Sequence, residues 1–107
     1  MPAEPLKPIY SSHGGDPSTS ADIDRFVIGL AERIDRLQDA EATGEISQLA
    51  SLAGELSAGA AAAGFGPLAS VAASLEAACA GGDSKDARER LLELTQIAQR
   101  VRLGYNG

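Results

Sequence analysis

Few side chains in this chain could do covalent or metal chemistry, and they stand apart. His13, the one histidine, lies in Ser11-Ser12-His13-Gly14-Gly15-Asp16-Pro17, a composition that breaks regular structure. An imidazole there is ordinarily solvated, because relay or acid–base work needs packed neighbours that orient the ring. The carboxylates are scattered singly, without the spacing that gathers ligands around an ion, so no metal site is expected. Cys79 is the only cysteine, which excludes an intrachain disulfide and a cysteine-based zinc site and makes a reducing compartment, the cytoplasm, the simplest setting. Ser57 has no base at a readable distance to activate it. Gly64-Phe65-Gly66 lacks the lysine and the preceding strand of a phosphate-binding loop. No cofactor and no catalytic centre are expected, and the chain is expected not to be an enzyme.

A different kind of site lies in the segment after Gly44. Positions 47, 50, 51, 54, 57, 58 and 61 share one side of a helix by the three-and-four spacing rule, and they are Ser47, Ala50, Ser51, Gly54, Ser57, Ala58 and Ala61. The stripe is small and uncharged. Gly54 in mid-helix costs about 1 kcal/mol relative to Ala, so its presence asks for a reason. One reading is close approach of a neighbouring helix within the same molecule, or drift in a sequence rich in Ala and Gly. The other is a smooth strip on which another protein docks.

The elements that hold this stripe follow from hydrophobic spacing. Residues 1–17 contain Pro2, Pro5, Pro8 and Pro17 with several Ser and Gly and read as an irregular arm. From Ser18 to Ala42 the apolar residues Ile23, Phe26, Val27, Leu30, Ile34 and Leu37 recur at steps of three and four, one buried helical stripe. Ser18 or Ser20 can cap its first turn, and Asp22 and Asp24 suit its positive end. Beyond Thr43-Gly44, Ile46, Leu49, Ala53, Leu56, Ala60 and Ala63 form a second seam that ends near Gly64. Gly66-Pro67 supplies a cap and a first-turn proline for a third helix lined by Leu68, Val71, Ala72, Leu75 and Cys79 and ended by Gly81-Gly82. Asp83 or Ser84 caps a fourth, with Ala87, Leu91, Leu94, Ala98 and Val101 on one face and Arg100 and Arg102 near its negative end. No segment alternates with period two. Four amphipathic helices on links of about two to four residues predict an all-α fold, an antiparallel up-down four-helix bundle over 18–104 behind the irregular arm. Its predicted core is Phe26, Leu30, Ile34, Leu37, Leu49, Leu56, Leu68, Leu75, Leu91, Leu94 and Val101.

Composition narrows the partners. The 107 residues suffice for one domain, and Leu, Ile, Val and Phe make up just over a fifth of them, so folding depends on that periodicity. Fifteen acidic against nine basic side chains leave a net charge of -6, the wrong sign for capture by nucleic-acid phosphates or anionic lipid. No nucleic acid and no membrane are expected as partners: no apolar run is long enough to span a bilayer, and the opening is not a signal peptide.

The order of residues resembles the histidine-containing phosphotransfer (HPt) domain family. Members carry His-x-Leu-Lys-Gly in the second long helix, then small residues, a Gly-Phe or similar break, and a helix ending in Leu-Glu. The matching stretches here are Gly54-Glu55-Leu56-Ser57-Ala58, Gly64-Phe65-Gly66-Pro67-Leu68 and Ala73-Ser74-Leu75-Glu76-Ala77, in register without a gap. Arg25-Phe26-Val27, Leu30, Arg33-Ile34 and Leu37 are similar to the family's first long helix, and Pro8-Ile9-Tyr10-Ser11-Ser12 to the opening of some stand-alone bacterial members. The resemblance implies partners in two-component phosphorelay signalling: a response-regulator receiver domain or a histidine kinase. It also places the phospho-accepting histidine on Gly54, the lysine on Ser57 and the glycine on Ala58. Glycine has no nucleophile, and serine removes the cation that balances the phosphoryl charge. The expectation is an HPt-like bundle whose transfer site is vacant and whose small-residue face still docks its partners or pairs as a homodimer. The alternative is a helical scaffold or homo-oligomerisation module unrelated to phosphorelay; a relay through His13 is a third and poorer reading.

Overall fold

The computed structural model describes residues 9–11 and 20–106. Four helices, α1 (Ser20–Ala42), α2 (Ile46–Ala62), α3 (Gly66–Ala80) and α4 (Ser84–Asn106), account for nearly all of them, and no strand occurs among the described residues. Position 18, at the expected start of the first helix, lies outside the described residues.

The three links are built alike. Gly44, Gly64 and Gly82 each take a positive φ, between 71° and 84°, a conformation that costs glycine nothing. At each, the glycine amide donates to the carbonyl three residues back and the next amide to the carbonyl five back, as in Gly64 N–H to Ala61 O (3.1 Å) and Phe65 N–H to Ala60 O (2.9 Å). This is the Schellman closure of a helix end. The residue after each glycine then opens the following helix. For α3 that cap is Phe65, one position before the expected Gly66, because Phe65 is held by its own ring: it is buried and stacks on Phe26 with centroids 5.7 Å apart. Asp83 caps α4 through its carboxylate, which accepts from the Asp86 amide at 3.0 Å. Helix α4 runs on to Asn106, so Arg100 and Arg102 do not sit in its last turn as expected, and that turn holds no basic residue.

The helices pack in ring order, α1 on α2, α2 on α3, α3 on α4 and α4 back on α1. Gln38 Nε2 donates to Thr95 Oγ1 at 3.4 Å and Arg88 pairs with Glu41 at 2.9 Å, so advance along α1 is retreat along α4. All eleven predicted core residues are buried, and Leu30, Leu49, Leu68, Leu75, Leu94 and Val101 are completely so. Ala53, Ala60 and Ala72 share that burial, which lets helix axes approach more closely than leucines alone would allow. No charged or polar residue is buried among the described residues; the core is held by apolar burial, each buried leucine contributing about 1.5–3 kcal/mol.

Residues 9–11 lie without regular structure against the far end of α4. The Ile9 amide donates to Arg100 O at 2.9 Å, the Ser11 hydroxyl to Ala63 O at the end of α2, and the Ile9 carbonyl rests where a Cβ on Gly104 would stand. Ile9 packs on the core while Tyr10 is 67 % exposed.

Two expectations follow from this packing. Leu56→Ala should cost about 2–5 kcal/mol, read from the urea midpoint of helical circular dichroism, whereas Ser47→Ala at an exposed position should stay within about 0.5 kcal/mol. Gly104→Ala drives a methyl group into the Ile9 backbone, so hydrogen exchange should show the Ile9 amide losing its protection while the amides of α2 and α3 keep theirs.

Candidate functional site

The face of interest is set by the α2–α3 hairpin. Because the link turns the chain back at Gly64 and Phe65, residues on either side of it meet: Ser57 Oγ donates to Ala69 O at 3.0 Å, and Gly54 faces Glu76. The two contacts run in opposite senses along the helices, so α2 and α3 are antiparallel.

The seven stripe positions divide in two. Ser47, Ser51, Ala58 and Ala61 are exposed, and Ala50, Gly54 and Ser57 are half-buried. Ala50 packs on the core and Ser57 is tied to the α3 backbone, so the Ser57 hydroxyl is engaged inward rather than presented to solvent.

Gly54 is crossed by the Glu76 side chain. A Cβ built on Gly54 would stand 2.5 Å from Glu76 Oε2 and 3.1 Å from its Cδ, well inside van der Waals contact. The carboxylate of α3 thus occupies the space that any side chain at position 54 would take. A neighbouring helix thus comes close at Gly54, as one of its two readings has it, and another does so at Gly59, where a Cβ would meet Phe26 Cε1 at 3.3 Å and Arg33 Nη1 at 3.4 Å. Arg33 lies over the Phe26 ring, 5.7 Å from its centroid, a cation–π arrangement.

Charge is distributed unevenly around the bundle. Helix α2 carries a single charged residue, Glu55, and α3 a single one, Glu76; neither has a Lys or Arg. On the α1 side of the stripe an open groove is lined by Arg33, Arg36, Leu52, Glu55 and Ala58, but its cations are engaged, Arg36 with Glu32 at 2.8 Å and Arg33 with the Phe26 ring. Cys79 is buried one turn beyond Glu76. Burial first, and the Glu76 charge second, push its thiol above the ordinary range, so it stays protonated and unreactive at neutral pH. Among the described residues no group of three or more His, Cys, Asp or Glu is placed to hold a metal ion, and His13 lies outside the described residues. Glu76 was not among the expected site residues. Its signal was the mirror spacing of 54 and 76 about the Gly64–Phe65 turn, together with its being the one charge on α3.

Gly54→Ala tests the crossing. Ala gains up to about 1 kcal/mol in helix interior, and the atoms in its way are the far end of a flexible side chain, so the urea midpoint should rise. A fall would show that the Glu76 carboxylate is fixed in place.

Among the described residues no helix is long and apolar enough to cross a membrane. No curated protein and no solved structure matches the chain. The model of the Hpt domain matches residues 23–104, which takes in α2 and α3 whole and nearly all of α1 and α4. Hpt domains interact with receiver domains or histidine kinases and carry phosphoryl groups between them. With more than three quarters of its length matched and four helices closed in a ring, the chain belongs to the Hpt domain family and has a role in two-component phosphorelay signalling.

Proposed function

We propose that this Hpt domain docks a receiver domain or a histidine kinase on its α2–α3 face without carrying the phosphoryl group itself. The observation that carries the reading is Gly54, which stands where the family resemblance puts the acceptor histidine and offers no nucleophile. Ser57, at the lysine position, supports it, because its hydroxyl donates to Ala69 O at 3.0 Å and brings no positive charge. A phosphoryl group at this place would have neither an atom to bond to nor a cation to balance it. The exposed Ser47, Ser51, Ala58 and Ala61 leave the surrounding surface low, which suits close approach of a partner. The cytoplasm, where receivers and kinase catalytic domains work, is the setting this reading requires.

Incubation with a phosphorylated receiver tests the claim. The wild-type chain should gain no acid-labile phosphoryl group, and Gly54→His, Ser57→Lys should gain one if only the reactive groups are missing. A label on the wild type that vanishes in His13→Ala would move the acceptor to the arm and overturn the reading. Self-association through the same face is the competing use of the stripe. Sedimentation decides between them, since a tight homodimer that buries Gly54 leaves no face for a receiver.

A further inference from the structure

We infer that two copies of this chain pair through the outer face of α1 and α4, which leaves the α2–α3 face of each copy free. The large apolar side chains that the helices leave exposed among the described residues are Ile28 (72 %), Leu92 (62 %) and Leu103 (44 %), all of them on α1 or α4 and none on α2 or α3. They share one face. Leu92 and Leu103 lie close to three turns apart, about 16 Å, on one line of α4, with the exposed and uncharged Gln96 and Gln99 between them. The contact of Gln38 with Thr95 sets the α1–α4 register, and it puts Ile28 level with the turn of α4 that holds Leu103. Single exposed apolar residues are ordinary, but three gathered on one helix pair mark a surface that gains from being covered.

Charge selects the occupant. Helix α1 carries six acidic residues against three basic, and α4 five basic against three acidic. The chain as a whole is at -6, so two copies repel unless unlike surfaces are brought together. A two-fold axis running along the groove between these helices lays α1 of one copy on α4 of the other, acidic on basic twice over, and sets each Ile28 against the second copy's Leu103. An axis across the helices would instead lay α1 on α1, like charge on like. Asp35 and Arg102 line the same groove, and neither takes part in an ion pair among the described residues, so both are open to a partner's charge. Two helices of 23 residues, each about 35 Å long and about 10 Å across, offer side by side a face of roughly 700 Å². That is near the ~800 Å² each partner contributes to a standard interface.

The test is sedimentation equilibrium of the full chain at tens of micromolar and low salt, with circular dichroism to check that each variant keeps the wild-type helix content. The wild type should run as a dimer. Ile28→Ser combined with Leu103→Ser should raise its dissociation constant about tenfold or more, while Ala58→Glu, in the small-residue stripe, should leave it within about twofold. Asp35→Lys and Arg102→Glu should each weaken the dimer when alone, since each sets like charges together on both sides of the two-fold axis. An equimolar mixture of those two variants should dimerise again, because the mixed pair brings unlike charges together on both sides. A wild type that stays monomeric at these concentrations, a dimer that survives the paired serine substitutions, or a mixture that associates no better than its components would overturn the inference while the docking reading stood. A dimer broken by Ala58→Glu would overturn it too, by moving the contact to the α2–α3 face, and would count against the docking reading as well.

Discussion

The turn at Gly64 decides which residues of α2 meet which residues of α3, and the candidate face depends on that register. With φ at 84°, Gly64 reverses the chain within three residues, and the two amides that close α2 leave Phe65 both as its last acceptor's partner and as the cap of α3. Stacking of Phe65 on Phe26 pins the turn to α1. Once the turn is pinned, Ser57 must lie beside Ala69 and Gly54 beside Glu76. A side chain other than glycine at position 64 would strain the left-handed backbone by about 1 kcal/mol, and any slip of the hairpin would separate both pairs.

The core tolerates this register because it is layered with residues of unequal size. Leu49, Leu56, Leu68 and Leu75 fill the centre of the hairpin, while Ala53, Ala60 and Ala72 let its helices come close. Gly59 does the same for α1, whose Phe26 and Arg33 lie against its bare Cα. Glycines 54 and 59 thus serve different purposes on one helix: the first admits a carboxylate from α3, the second an aromatic ring from α1. The ion pairs at the surface, such as Arg88 with Glu41 and Arg36 with Glu32, add little beyond orientation, since exposed pairs are worth at most about 1 kcal/mol.

The fold was legible in the sequence because its two determinants are local. Hydrophobic steps of three and four name the buried face of each helix, and glycine marks each end, so the eleven core residues and the links at Gly44, Gly64 and Gly82 were all readable. What escaped was whatever depended on a second element. Gly66 offers the backbone freedom of a cap, but the cap moved to Phe65 because a ring on α1 holds it. The stripe from Ser47 to Ala61 is one band by spacing alone, yet the nearness of α3 divides it, drawing Ala50, Gly54 and Ser57 inward. Glu76 showed in the sequence as the end of a family pattern and the one charge on α3; its crossing over Gly54 needs the hairpin register, which no single helix encodes.

The residues at 54 and 57 make more sense together than apart. Had position 54 kept any side chain, even a methyl group, the carboxylate would have had to move off the spot it occupies. Glycine at 54 leaves the space, serine at 57 turns its hydroxyl to the backbone of α3, and the one charge on α3 settles over the gap. The carboxylate of α3 then lies over position 54, where the family resemblance puts the acceptor histidine. Position 54 thus offers no nucleophile and position 57 no cation, and both positions are closed by contacts with α3.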